Sequence, residues 1–227
     1  MIKRLDWDSN FFGYPVGKII VDDPQQISLS DLNEFCKGFR LVYLFSKEEL
    51  SLCSDNLFPA DKKVTLIRKT ETLSDNYESI KPYYGMITDR LLELTFQSGI
   101  YSRFKADASF IGSEYRKLYT EWIENSVKRK IARDVFVYVR NSDIKGFITW
   151  DAQENQAGIG LIAVDQRMRG QGIGSMMIKY VVNEAFVAGY PAIKVVTQFD
   201  NKSAMYLYEK NGFQLCDLTY VYHYWNK

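Results

Sequence analysis

The chain has 227 residues with 29 basic and 28 acidic side chains, a formal charge of +1, so no bulk electrostatic excess recruits nucleic acid or an anionic membrane. At 46% hydrophobic, 15% aromatic and 25% charged residues it reads as an ordinary globular protein with a sizeable core, either one large domain or a small one fused to a medium one. It contains no run of about 18 apolar residues, and residues 1–8 turn acidic too early for a signal peptide, which predicts a cytoplasmic protein with no membrane segment.

In chain order, residues 11–21 mix aromatic and β-branched side chains around Gly13, Pro15 and Gly17, which predicts an extended, bulged segment. Ser28 to Asp31 has the capping-box form. Leu32, Phe35 and Cys36 then recur at helical spacing until Gly38. Residues 40–45 read as a strand, Ser46 opens a short helix by the same capping logic, and residues 63–68 close a small α/β unit as a third strand. Polar residues 70–83 predict a linker or crossing loop, which sets domain boundaries at 1–75 and 76–227.

In the second unit, Tyr115, Leu118, Tyr119, Trp122, Ile123 and Val127 paint one face of a long helix between Ser113 and Ile131. Three strands over 134–140, 145–150 and 158–164 follow, separated by short polar loops that imply an antiparallel meander. The cysteines at 36, 53 and 216 are odd in number and scattered, and the single histidine is His223. Neither a disulfide framework nor a metal-ligand spacing is present. His223 lies in an aromatic, strand-like end, where a packed imidazole is the expected reading.

Chemistry concentrates where the third strand ends. Arg169-Gly170-Gln171-Gly172-Ile173-Gly174 joins that strand to an apolar helix that stops near Gly189. Its glycines permit positive φ and outward-facing N–H groups, and a helix N-terminus adds about half a positive charge, so the turn suits a phosphate or pyrophosphate. No lysine stands between Gly174 and Ser175, as a Walker loop would need. The preceding strands read as antiparallel, which does not suit a dinucleotide-binding βαβ start. A strand at 192–197 then leads into a helix carrying Asn201, Ala204, Leu207, Tyr208, Gly212 and Phe213.

Together, Arg169, Gly172 and Gly174 in an Arg-x-x-Gly-x-Gly loop and the later Asn, Ala, Leu-Tyr and Gly-Phe positions resemble the GNAT superfamily of N-acetyltransferases. The resemblance implies an α/β (α+β) fold with a mixed, mostly antiparallel sheet flanked by helices, here preceded by the small α/β unit. It also implies acetyl-CoA as co-substrate, without a metal. The pantetheine arm would pair with the backbone of Leu161, Ile162, Ala163 and Val164, as an added strand does. The pyrophosphate would sit on Arg169, Gly170, Gln171, Gly172, Ile173 and Gly174, and Asn201 would hydrogen-bond near the strand split. Tyr208 would line the coenzyme site and protonate the departing thiolate, a role a phenol can fill because its ordinary pKa of about 10 keeps it protonated. Asp151 and Glu154 are candidate bases for the incoming amine, and neither is assigned.

Residues 5–13, 102–104, 119–127 and 196–198 are similar to the dTDP-fucosamine acetyltransferase group of that superfamily. That similarity implies a small-molecule amine on a nucleotide sugar as acceptor, Arg103 as a substrate-binding residue and a homodimer as assembly, with no nucleic-acid or membrane partner. Acetylation of another small amine or of a protein N-terminus, and a catalytically silent acyl-CoA sensor, stay open as alternatives.

Overall fold

The computed structural model describes residues 2–72, 77–110, 112–153 and 156–226. After a two-residue strand, β1 (Lys3–Arg4), the chain enters helix α1 (Asp6–Phe12). This corrects the extended segment expected from residue 11. Gly13, at φ 78°, ends the helix by donating its N–H to Ser9 O at 3.0 Å, and only from residue 16 does the chain run as strand β2 (Val16–Val21). The aromatic residues there are spaced for packing rather than for a pleat: Phe11 stacks on Trp7 at 5.1 Å across one helical turn.

Helix α2 (Leu29–Phe35) carries the expected capping box, with Ser28 and Asp31 exchanging side chain and backbone. Strand β3 (Leu41–Ser46) follows. No helix forms after Ser46, contrary to expectation. The chain bends instead, Leu50 N–H donates to Tyr222 Oη at 2.9 Å, and a tertiary bond takes the place of a helical one. Strand β4 (Leu57–Lys69) is long, and β5 (Ile80–Pro82) adds a short edge within the segment read as a linker.

Three helices come next: α3 (Asp89–Ser98), the short α4 (Arg103–Ala106) and α5 (Glu114–Val127). The sequence reading foresaw only α5. Its expected stripe faces inward, with Tyr115, Leu118, Tyr119 and Ile123 buried. The meander forms as β6 (Asp134–Arg140), β7 (Asp143–Gln153) and β8 (Gln156–Val164). Helix α6 (Ile173–Val187), β9 (Ala192–Gln198), α7 (Lys202–Lys210) and β10 (Gln214–Trp225) complete the chain.

Among the described residues ten strands form one sheet in the order β1-β2-β3-β10-β4-β9-β8-β7-β6-β5. Among the described pairings only β2/β3 and β8/β9 are parallel; the others are antiparallel, as the expected mixed sheet requires. Strand β4 does not simply close the N-terminal strands: it lies between β9 and β10, pairing Thr65 with Val196 and Val64 with Leu218. Helices cover both faces. Leu32 of α2 packs beneath Val42 and Leu44. On the same side, Ile173, Met177 and Val181 of α6 and Met205 and Tyr208 of α7 pack on Val64, Leu66, Ile193 and Val195. The opposite face gathers Tyr43, Phe104, Phe110, Tyr115, Trp122 and Leu161 under α4 and α5, with Leu91 and Leu94 of α3 on Val135, Val137 and Phe147.

His223 belongs to this second face. It is fully buried, its Nδ1 lies 2.7 Å from Asp107 Oδ2, and Trp225 Nε1 donates to the same oxygen at 2.8 Å. Burial pushes the imidazole down to about 4, so it is neutral and donates from Nδ1 to an ionised Asp107. The pair ties β10 to the turn after α4, in keeping with a packed rather than catalytic histidine.

Candidate active site

Strands β8 and β9 are partners only from Ala157↔Ile193 to Ile159↔Val195. Beyond that point β8 stays with β7 and β9 with β4, and the two part. The split coincides with a bulge, because Ile148 pairs with Ile162 and Trp150 with Ile159, leaving Gly160 and Leu161 opposite Thr149 alone. Thr149 Oγ1 fills the bulge and accepts Leu161 N–H at 2.8 Å. Further along, Asp165 N–H donates to Lys145 O at 2.8 Å. Alternation by two therefore turns the backbone groups of Ala163 toward β7 and those of Ile162 and Val164 into the gap. The Val164 carbonyl is already used, accepting Arg169 Nε at 3.2 Å.

The glycine-rich turn hangs on Asp165. Its Oδ1 accepts Arg167 N–H at 2.9 Å, while Arg90 pairs with its carboxylate and also donates to Ile144 O at 2.9 Å. The backbone N–H of Arg167 and the Arg90 side chain hold the carboxyl of Asp165 below the usual carboxylate range. Gly172 is the N-cap of α6 at φ 79°, a left-handed conformation that costs a side-chain-bearing residue about 1–2 kcal/mol. Among the described residues no side chain caps that helix. Its first-turn N–H groups are therefore left for a ligand, which favours an anion. At Gly174 the reason for glycine is packing, since a Cβ there would lie 3.2 Å from Leu207 Cδ2 of α7.

A cavity of about 360 Å³ opens between these pieces. Ile162, Ala163 and Val164 line it from β8, Arg169, Gly170, Gly172, Ile173 and Gly174 from the turn, and Asn201, Ala204 and Tyr208 from α7. Asn201 caps α7, its Oδ1 accepting Ala204 N–H at 3.2 Å. Tyr208 is 3% exposed, and burial alone raises its phenol above the ordinary value, so it is a proton donor throughout the physiological range. Tyr206, two residues away, is 66% exposed. The fourth wall is Gln97, Ser98, Ile100 and Tyr101, at and beyond the end of α3, which the sequence reading missed. The Leu91, Leu94, Thr95 stripe could have predicted the helix, but nothing local says which cavity its end would meet. Arg169 spans the opening, its guanidinium 3.4 Å from Gln97 Oε1.

Four of the predicted residues, Gln171, Leu161, Asp151 and Arg103, fall outside this cavity. Gln171 accepts from Arg140 at 3.0 Å and lines a shallow depression with Lys210 and Asn211. Leu161 points the other way, into a cavity of about 220 Å³ with Trp122, Thr149, Asp151 and Gly160. The wall of β8 therefore changes sides at the bulge. Asp151, one of the two candidate bases, lines this second cavity, and burial raises its carboxyl while Lys194 opposes. Glu154 lies outside the described residues. Arg103 lies on the same face of the sheet as Leu161, its guanidinium 4.3 Å from the centre of the Tyr43 ring and 4.7 Å from that of Phe104. Near it burial pushes Asp61 up to about 6, against the pull of Arg103 and Lys63. Asp61 was not foreseen, because it reaches this place only through the pairing of β4.

Residues 99–213 match the model of the Acetyltransferase (GNAT) family. Among curated proteins the chain is 23% identical over 155 residues to a spore coat polysaccharide biosynthesis protein of Bacillus subtilis, covering 66% of this chain and 53% of that one. It is 26% identical over 127 residues to the dTDP-fucosamine acetyltransferase of Escherichia coli, covering 51% and 54%. The chain thus spans about half the length of these curated relatives. Among solved structures it resembles a GNAT-family protein of Novosphingobium aromaticivorans at TM-score 0.57 and 13% identity, over 100% of this chain and 89% of that one. It also resembles a PaiA N-acetyltransferase of Thermoplasma acidophilum in complex with coenzyme A, at TM-score 0.53 and 19% identity, over 65% and 99%. At these identities the structural likenesses speak for the fold.

Proposed function

The chain belongs to the GNAT acetyltransferase family, and from that premise we propose that it moves the acetyl group of acetyl-CoA onto the amine of a nucleotide-linked aminodeoxysugar by direct attack, both substrates being bound together. The observation that carries this reading is the pair of cavities on the two sides of β8, one rimmed by an uncapped helix N-terminus and one by Leu161, Trp122 and Asp151.

Acetyl-CoA supplies an activated acetyl group. The chain supplies position and charge. The N–H groups at the start of α6 and Arg169 suit the coenzyme's diphosphate, and Ile162 and Val164 offer strand edge to its amide arm. The Ile162 N–H faces the gap, where it stabilises negative charge developing on the acetyl oxygen. Tyr208, kept protonated by burial, donates a proton to the departing sulfur, and the proton given up by the attacking nitrogen leaves to solvent, from which the tyrosinate is reprotonated. The amine enters from the Leu161 side. Arg103 is a substrate-binding residue on that side, in keeping with the dTDP-fucosamine acetyltransferase among the relatives.

The test is thiol release from acetyl-CoA with a panel of dTDP- and UDP-linked amino sugars, against simple amines and peptide N-termini. Turnover with amino sugar nucleotides at a kcat/KM well above that for the other amines is the expected result. Preference for another amine would overturn the substrate assignment. Coenzyme binding without turnover on any amine would favour a silent acyl-CoA sensor.

A further inference from the structure

Because β4 joins β9, the face of the sheet that bears Leu161 continues without a break across the N-terminal strands. Tyr43 and Phe45 of β3 belong to the same apolar cluster as Phe104, Trp122 and Leu161. On β4, Val64 and Leu66 are buried toward α6, which turns Lys63 and Thr65 to the face of Phe45. On β2, Ile19 and Val21 are buried toward α2, which turns Lys18 the same way. Lys63 is opposite Gln198, at the end of β9 that has already parted from β8.

Cations collect here around a single ring. Lys18 Nζ lies 4.5 Å from the centre of Phe45, Lys63 Nζ 5.8 Å and the Arg103 guanidinium carbon 5.8 Å. All three residues are half-buried, and among the described residues none makes an ion pair within 4 Å. The neighbouring Lys47 differs, because Asp217 and Thr219 hold its ammonium. Asp8 and Asp61 act on Arg103, and Asp217 on Lys63, only from beyond 4 Å, and half-buried cations this close to one another without a direct ion pair are costly unless an anion joins them.

We propose that Lys18, Lys63 and Arg103, grouped around Phe45, form the site for the diphosphate of the acceptor, and that the N-terminal strands belong to the enzyme in order to carry it. The proposal rests on the reading of the acceptor as a nucleoside-diphosphate-linked amine. It gives the two diphosphates different holders: backbone N–H groups for the coenzyme and side-chain cations for the acceptor. The electrostatics agree. Burial draws the ammonium of Lys63 below its ordinary value, Asp217 opposes, and Lys18, Arg103 and Lys47 push it further down, a mutual repulsion that a bound diphosphate relieves. Asp61, next to Arg103, lies on the same face of the sheet and suits a hydroxyl or ammonium of the sugar.

The experiment titrates the full chain with thymidine 5′-diphosphate and, separately, inorganic pyrophosphate, with acetyl-CoA at saturation so that the coenzyme's own diphosphate site is filled. Loss of one charge-assisted contact is worth about a tenfold change in affinity or more. Lys18→Gln and Lys63→Gln should each weaken the diphosphate by about tenfold and leave the acetyl-CoA affinity unchanged, while Lys47→Gln changes neither. Arg103→Lys, which keeps a cation but loses the planar fork, should raise the acceptor KM more than it lowers kcat. Lysine variants that bind diphosphate as tightly as the parent chain, in a protein that still acetylates amino sugar nucleotides, would overturn this site and leave the proposed function standing. Failure of the parent chain to bind either probe, together with turnover of an unphosphorylated amine, would overturn both.

Discussion

Replacing Tyr208 with phenylalanine removes one oxygen from the floor of the coenzyme cavity. The ring is 3% exposed and packs on Phe213 at a centroid distance of 5.6 Å. Among the described residues its hydroxyl has no protein partner, so the substitution breaks no internal hydrogen bond and stability should stay within about 1 kcal/mol of the parent. The effect falls on chemistry instead. A positioned proton donor contributes about 10²–10⁴ in rate, or about 3–5 kcal/mol of barrier. Steady-state thiol release should show kcat lowered by that factor, while calorimetric titration gives an unchanged dissociation constant for acetyl-CoA. The pH profile supplies a second readout: burial raises the phenol above its ordinary value, so the parent enzyme should lose no activity through Tyr208 ionisation up to about pH 10. A phenylalanine variant with kcat within about twofold of the parent would refute the argument and leave Tyr208 a packing residue.

Gly172→Ala meets no atom within 4 Å but must hold φ 79°, so it should cost about 1–2 kcal/mol in thermal unfolding or, if the turn relaxes, about tenfold in acetyl-CoA affinity; a variant that shows neither loss would contradict the account of the turn. The buried imidazole of His223, pushed down to about 4 from 6.5, means the unfolded chain takes up its proton first. Stability should be intact above about pH 6.5 and fall as the pH drops toward 4, by about 2 kcal/mol at pH 5. Urea titrations at pH 7 and pH 5 should show that difference in the parent and a smaller one in His223→Gln; equal differences would remove the assignment. Met177, fully buried between α6 and the sheet, should cost about 2–5 kcal/mol as Met177→Ala, read from the same titrations, with the thermal transition kept cooperative.

The coenzyme side of the site was legible because its signals are local. Positive φ at Gly170 and Gly172 and the cap at Asn201 are properties of five or six consecutive residues, and the glycine spacing announces them. The capping box at Ser28 is legible for the same reason, whereas the same logic failed at Ser46 because a hydroxyl 172 residues away, on Tyr222, took the Leu50 N–H. Residues 11 and 12 were misread as extended because a seven-residue stretch with five aromatic or acidic side chains carries a helix only when Gly13 ends it and the face packs.

By itself the sequence determined the strand, glycine turn and helix of the coenzyme site, the inward stripe of α5 and the meander, since each is written in the spacing of near neighbours. Only the tertiary structure decided that β4 lies between β9 and β10, that the end of α3 walls the cavity, and that Lys18, Lys63 and Arg103 converge on Phe45. Pairings such as Thr65 with Val196 join residues far apart in the chain, and an apolar or charged residue in a strand carries a period but no address. The partner is chosen by which faces can be buried together, and that choice belongs to the whole fold.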